Sequence, residues 1–262
     1  MPGSKQPLYP PLAMRIFSVW YRHYRVYTKN LISNGLPPFL EPLIFLAGIG
    51  LGMNRYIDQM EGVSYLTFLG TGLPITAAMF TAAFECSYGT FIRLEYDRVY
   101  DGMLSAPISV SNMLIGEIIW AGTKGLFFSF AVVTVVASFG LVPLPSGLLA
   151  PLVGFLAGVM FASLSLLVTS FVSNINHFNF YFTGFLSPMF FFSGVVFPVE
   201  NLPGVLQNLA EIFPLTHVVR MTRLLSFWDL KAVIFWDLIF IALFTLLSGY
   251  WGIKRLGRKL IH

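Results

Sequence analysis

Apolar positions along this chain gather into six long runs. Between the second and third lies a short stretch in which apolar and charged positions recur at helical spacing. The runs cover about 36–53, 63–85, 112–139, 148–172, 178–197 and 233–253. A hydrocarbon core of about 30 Å needs on the order of 20 apolar residues per helix. The runs therefore predict an all-α integral membrane protein with six transmembrane helices, forming a single domain over residues 1–262. Composition agrees: 56% of residues are hydrophobic and 11% are charged, against roughly a quarter charged in soluble domains.

Three segments outside the runs carry pattern of their own. Over 9–31, Arg15, Arg22, Arg25 and Lys29 share one helical sector, with Ile16, Phe17, Trp20, Tyr24, Tyr27 and Leu31 opposite. A basic face against an aromatic face predicts a helix lying in the membrane interface against anionic headgroups; a solvated helix packed on its own protein is the alternative. Over 92–104, Ile92, Tyr96, Val99, Tyr100, Met103 and Leu104 form an apolar stripe, and Arg93, Glu95, Asp97, Arg98 and Asp101 fill the other positions. Mixed charge with two tyrosines suits a protein partner better than a lipid surface, although a helix packed on its own bundle fits the pattern too. Over 198–226, Pro198, Pro203 and Pro214 divide two short helices, which predict a re-entrant hairpin or two external surface helices.

Charge placement sets the expected topology. Lys5, Arg15, Arg22, Arg25 and Lys29, then Arg93 and Arg98, then Lys254, Arg255, Arg258 and Lys259 fall on one side of a six-span chain, and only Arg55, Arg220, Arg223 and Lys231 fall on the other. Cationic loops stay cytosolic, so both termini are expected inside. Ionisable residues within spans are costly and often functional. Glu41, Glu85 and Glu117 lie near the expected cytosolic ends of spans one to three, and Lys124 lies deeper. They predict a ring of carboxylates at the inner mouth with Lys124 above it, and Glu117 as the local partner of Lys124. Simple interfacial placement of the glutamates is the plainer alternative.

Several chemistries find no support. No G-x-x-x-x-G-K-[ST] motif occurs, so no ATP site is expected in this chain. His23, His177, His217 and His262 show no metal-ligand spacing, and Cys86 is alone, so no metal site is expected. Ser193-Gly194 lacks the surroundings of an intramembrane serine nucleophile. The basic residues flank spans and form no stripe, which argues against nucleic acid. The first 30 residues lack the apolar core of a cleavable signal peptide.

The order of these features resembles the ABC-2 class of transporter permeases. The stretch NLPGVLQNLAEIFPLTHVVRMTRLL is similar to that class's C-terminal signature, with Pro203 and Pro214 at its characteristic positions. ECSYGTFIRLEYDRVYDGMLSAPISVSNMLIGEIIWAGTKG, residues 85–125, resembles the permeases of nodulation-type lipo-oligosaccharide export systems. The resemblance implies a homodimer in the bacterial cytoplasmic (inner) membrane, with two copies of a cytosolic ATPase that bind ATP and Mg2+. It also implies no cofactor on this chain and an amphipathic glycolipid, lipo-oligosaccharide or polysaccharide as cargo. Residues 92–104 would be the coupling helix, with Ile92, Arg93, Glu95, Tyr96, Asp97, Arg98, Tyr100 and Asp101 against the ATPase. Glu41, Glu85, Glu117 and Lys124 would line a pathway or gate, and Arg220 and Arg223 would meet an anionic headgroup outside. The same machine used for drug efflux is the alternative, and an ATPase-independent secondary transporter or channel is a further one.

Overall fold

The computed structural model describes residues 10–50, 52, 56, 57 and 59–261, with residues 41, 42, 49, 50 and 261 described by their backbone alone. Lys5 and Arg55 lie outside the described residues, as does the side chain of Glu41. The chain is mostly helical. It begins with α1 (Leu12–Thr28), α2 (Leu31–Gly35) and α3 (Pro37–Phe45), the last running into a π-turn at Leu46–Gly50. A small antiparallel hairpin follows, β1 (Gln59–Met60) and β2 (Val63–Ser64). Its turn residues Glu61 and Gly62 hold φ of 54° and 79°, the two positive values that a type I′ turn requires. Ser64 then accepts the Thr67 N–H and caps α4 (Tyr65–Phe84), satisfying one of the free donors at a helix start.

Helix continues past the end of α4 through π-turns at Glu85–Gly89 and Ile92–Tyr96. It stops at Arg98, whose φ of 48° and ψ of 34° are left-handed, a conformation a right-handed helix cannot run through. The short α5 (Val99–Leu104) follows that break, and Ser109 caps α6 (Val110–Ser138). The segment 92–104 is thus a π-helical extension of α4, a sharp break and a separate turn-and-a-half of helix, not one amphipathic helix.

The remaining helices are α7 (Ala150–Thr169), α8 (Phe178–Tyr181), α9 (Ser187–Phe192), α10 (Gly204–Ile212), α11 (Pro214–Ser226) and α12 (Val233–Ile261). Among the described residues, five stretches are long and apolar enough to cross a membrane: Leu31–Gly48, Tyr65–Tyr96, Val110–Ser138, Ser146–Thr169 and Val233–Leu260. The run expected as span five, 178–197, is helical only from Phe178 to Phe192. With the 3-10 turn Ile175–His177 ahead of it, the helical stretch carries the chain from Phe91, which Phe178 touches, to the opposite end of α4, where the Gly194 carbonyl meets Arg223. Ser193 leaves helical geometry and Gly194 turns the chain with φ of 81°. Both expected helices of 198–226 are present as α10 and α11, and α11 packs on α4 and α12.

The centre of the bundle is α6 against α7, with α4 alongside. Small residues let the first two approach closely. A Cβ on Gly125 would stand 2.7 Å from the Gly154 carbonyl oxygen, and one on Gly158 would stand 2.9 Å from Gly122 Cα. Backbone contact of this kind drives helix association where lipid gives no hydrophobic advantage to burying side chains. α12 packs along α7 but leaves Trp236, Leu243, Leu246, Leu247 and Trp251 exposed, the surface expected to face lipid or a second subunit.

Gly154→Leu and Gly158→Leu are expected to lower the thermal unfolding midpoint of the detergent-solubilised chain, each overpacked site costing about 1–3 kcal/mol. Gly204→Ala, where an added Cβ meets nothing within 4 Å, is the control and should leave the midpoint unchanged.

Candidate functional site

At the C-terminal end of α4 the acids and bases of four segments meet in one network. Its geometry begins with the π-turn at Glu85–Gly89. In a regular α-helix, residues eight apart are rotated by about 800°, or 80° off register; a π-turn absorbs one residue and leaves them about 20° apart. Arg93 therefore stands over Glu85. Its Nη1 donates to Glu85 Oε1 at 2.8 Å, and Nη2 donates to the Glu85 carbonyl at 3.0 Å. The other Glu85 oxygen accepts from Lys124 Nζ at 2.9 Å. Lys124 also lies over the rings of Tyr27 and Phe128, 5.4 and 5.8 Å from their centroids. Lys124 is thus paired across to α4, not along its own helix to Glu117.

Glu117, on α6, is fully buried. Tyr100 Oη lies 2.7 Å from both carboxylate oxygens, and Thr90 Oγ1 donates at 3.2 Å. Arg93 Nε and His23 Nε2 stand 3.1 and 3.3 Å from Oε1, close enough for ion contact although off the hydrogen-bonding axis. Burial, then the charge of Glu117, push the Tyr100 hydroxyl well above its ordinary value, so it remains a donor at neutral pH. The result is a chain of alternating charge, Lys124–Glu85–Arg93–Glu117, closed by a hydroxyl from α5 and a ring nitrogen from α1.

The other expected coupling residues face out. Ile92, Glu95, Tyr96, Asp97, Arg98 and Asp101 are exposed, and Glu95 is paired with Lys259 of α12 at 2.7 Å. Arg93 and Tyr100 were placed by periodicity on the same partner-facing helix; in the structure both point into the bundle. The α1 helix also differs from a free interfacial helix. Val19 lies against Gly116, and Trp20 Nε1 donates to Thr123 Oγ1 at 2.9 Å, while Leu12, Met14 and Phe17 remain exposed.

A second polar group lies at the other end of α4, some 25 Å away by helical rise from Phe68 to Glu85. Arg220 makes a bidentate pair with Glu211 at 2.6 and 3.1 Å and a second one with buried Asp237 at 2.6 and 3.1 Å. His217 Nδ1 lies 2.7 Å from Asp237. The hydrogen bond to Asp237, then that to Glu211, hold the Arg220 guanidinium above its ordinary value. Arg223 differs: it stacks on Phe68 at 3.7 Å and donates to Thr71, to the Phe68 carbonyl and to the Gly194 carbonyl. Burial pushes it down to about 10, which still leaves it charged at neutral pH. His23, Thr90, Glu211, His217 and Asp237 were not singled out by sequence. Asp237 carried a signal, being an acid just inside an apolar run, where a charge needs a reason.

The described structure is thus a bundle of apolar helices with buried charge at one end and exposed charge just beyond it. Residues 14–227 match the ABC-2 type transporter family, and the chain belongs to it. It is 36% identical over 206 residues to Nodulation protein J of Sinorhizobium fredii, covering 79% of each chain. It is 35% identical over 223 residues to Nodulation protein J of Rhizobium leguminosarum bv. trifolii, covering 85% of each. Inner membrane transport permease YadH of Escherichia coli is 23% identical over 247 residues, 93% of this chain and 95% of that one. The spans and these relatives make the chain a multi-pass inner-membrane protein. Permease subunits of this family are not themselves ATPases and normally pair with an ABC ATPase subunit.

Arg93→Met is expected to destabilise the chain by about 3–5 kcal/mol, because it takes the guanidinium from the buried carboxylate of Glu117 and leaves Glu85 with Lys124 alone. Tyr100→Phe should cost less, about 1.5–3 kcal/mol, the range for one hydrogen bond to a charged group. Adding Glu117→Gln to Arg93→Met should recover part of the loss, and a double-mutant cycle on denaturant unfolding in detergent measures that recovery. Additive effects would mean that the two side chains do not act on each other.

Proposed function

We propose that this chain is the permease subunit of an ATP-driven exporter that moves an amphipathic glycolipid, lipo-oligosaccharide or polysaccharide outward. Two copies would pair and dock on two copies of a cytosolic ABC ATPase, with both termini of the permease cytosolic. The observation that carries the reading is the exposed patch of Ile92, Tyr96, Asp97, Arg98 and Asp101 sitting directly on the buried Glu85–Glu117 network. A surface that mixes apolar and charged groups suits a protein partner. Its base is tied to α1, α4 and α6, so a displacement of α5 is passed to three helices at once. In this reading Glu85, Glu117 and Lys124 act as the joint of the machine.

The cargo class is supported by the relatives' similarity and by an apolar cavity of about 220 Å3 between α3, α4, α6 and α9, lined by Phe45, Phe80, Phe128 and Phe190 among others. Such a wall accepts an acyl chain. The hairpin of α10 and α11 is taken as re-entrant, closing the outer end, with α1 lying in the inner interface.

Reversing charge at Asp97 and Arg98 together is expected to abolish stimulation of ATP hydrolysis by cargo in the reconstituted complex, while the unliganded permease melts as before. The check is co-purification of the ATPase alongside its hydrolysis rate. Unchanged complex formation with unchanged stimulated hydrolysis would refute the docking assignment.

A further inference from the structure

The end of the bundle remote from the charge network holds a cavity of about 310 Å3. Its wall comes from the β1–β2 turn (Glu61), the bend after α9 (Ser193, Gly194), the approach to α10 (Glu200), α11 and the start of α12. The charges lining it differ in what they already hold. Arg220 is saturated by Glu211 and Asp237, and Lys231 is paired with Asp229 at 2.6 Å. Arg223 has only neutral acceptors, and among the described residues its Nη1 makes no hydrogen bond. Ser193 Oγ is buried and has no hydrogen-bond partner among the described residues. Glu61 and Glu200 line the same cavity, are exposed, and make no ion pair within 4 Å among the described residues; they act on Arg223 only through space.

Two donors thus sit deep in the cavity and two carboxylates stand at its rim. A plain anion on Arg223 would be opposed by the rim acids, and a plain cation at the rim would leave Arg223 and Ser193 unanswered. A neutral polyol supplies hydrogen bonds but no counter-charge for either sign. We propose that this cavity binds a zwitterionic group of the phosphoethanolamine type. The phosphate is held by Arg223 Nη1 and Ser193 Oγ, and the ammonium by Glu61 and Glu200. Charge-assisted hydrogen bonds of both signs are the strong ones, and the order matches an amphiphile, whose phosphate lies closer to the bilayer than its ammonium. This replaces the simple anionic headgroup expected at Arg220 and Arg223, because Arg220 is already neutralised. The site does not depend on the export reading, since binding is measured on the permease alone.

The purified full chain in detergent, titrated calorimetrically with sn-glycero-3-phosphoethanolamine, is expected to bind it saturably. Glycerol 3-phosphate, ethanolamine and glycerol should each bind about tenfold more weakly or less. In a second arm, nanodiscs in which phosphatidylethanolamine replaces phosphatidylglycerol should raise the unfolding midpoint. Saturable binding of the free compound supports the site for soluble zwitterions, and a response in phosphatidylethanolamine discs alone supports it for the lipid. Ser193→Ala removes a hydroxyl with no hydrogen-bond partner among the described residues, so the unliganded chain should melt unchanged, and in it and in the Glu61→Gln, Glu200→Gln pair affinity or the disc response should fall about tenfold. Equal binding of glycerol 3-phosphate, ethanolamine or glycerol overturns the proposal. So does silence in both arms, or full response in the variants.

Discussion

Glu117 is a carboxylate with no exposure to solvent, set inside a bundle made almost wholly of apolar helices, and much of the architecture near it follows from keeping that group satisfied. Taking a carboxylate out of water costs several kcal/mol even after relaxation, and the cost is offset only by well-placed partners. The partners of Glu117, itself on α6, come from three other places: His23 on α1, Thr90 and Arg93 beyond α4, and Tyr100 on α5. No two of those segments can shift apart without exposing the charge to the bundle interior. Buried polar groups in membrane bundles act as specific glue, and here the glue sets the position of α1 and α5 relative to α4 and α6.

The glycine seam between α6 and α7 plays the complementary part. Close backbone approach at Gly122, Gly125, Gly154 and Gly158 leaves no flexible side chain to absorb a relative slide. The α6–α7 pair is therefore the most closely packed part of the bundle, and Glu117 is rooted in it. The segments on the other side of the network, α1, α5 and the extension of α4, are short or broken and carry most of the exposed charge. Motion at this end is thus a matter of light elements moving against a closely packed pair.

Hydropathy made the long spans legible, since runs of apolar residues need nothing beyond length to be recognised. At 178–197 the run is helical from Phe178 to Phe192 and is ended there by Ser193 and Gly194. The stretch 92–104 was misread. Periodicity analysis assumes 3.6 residues per turn, and π-turns at Glu85–Gly89 and Ile92–Tyr96 change which face each residue occupies. That change turns Arg93 inward, and the left-handed break at Arg98 turns Tyr100 in after it. Lys124 was matched to Glu117 because both lie on one helix; its actual partner, Glu85, is on another, and pairing across helices leaves no trace in local spacing. The acids and the lysine were themselves visible as costly residues in apolar runs, although their pairings were not, and His23 and Thr90 left no such mark.

The break at Arg98 also determines how force would travel inward. Were 92–104 one helix, a push anywhere on its exposed face would rotate the whole rod and reach α4 directly. With the chain interrupted, the extension of α4 and the separate α5 respond independently, and their two routes inward are different side chains, Arg93 and Tyr100. Both end on the same carboxylate. A displacement entering by either route disturbs Glu117, and through Arg93 it disturbs Glu85 and Lys124 as well. In the proposed reading the network would sum what happens at its surface patch, and α6, packed on α7 along the glycine seam, would be the element that carries the sum across the membrane.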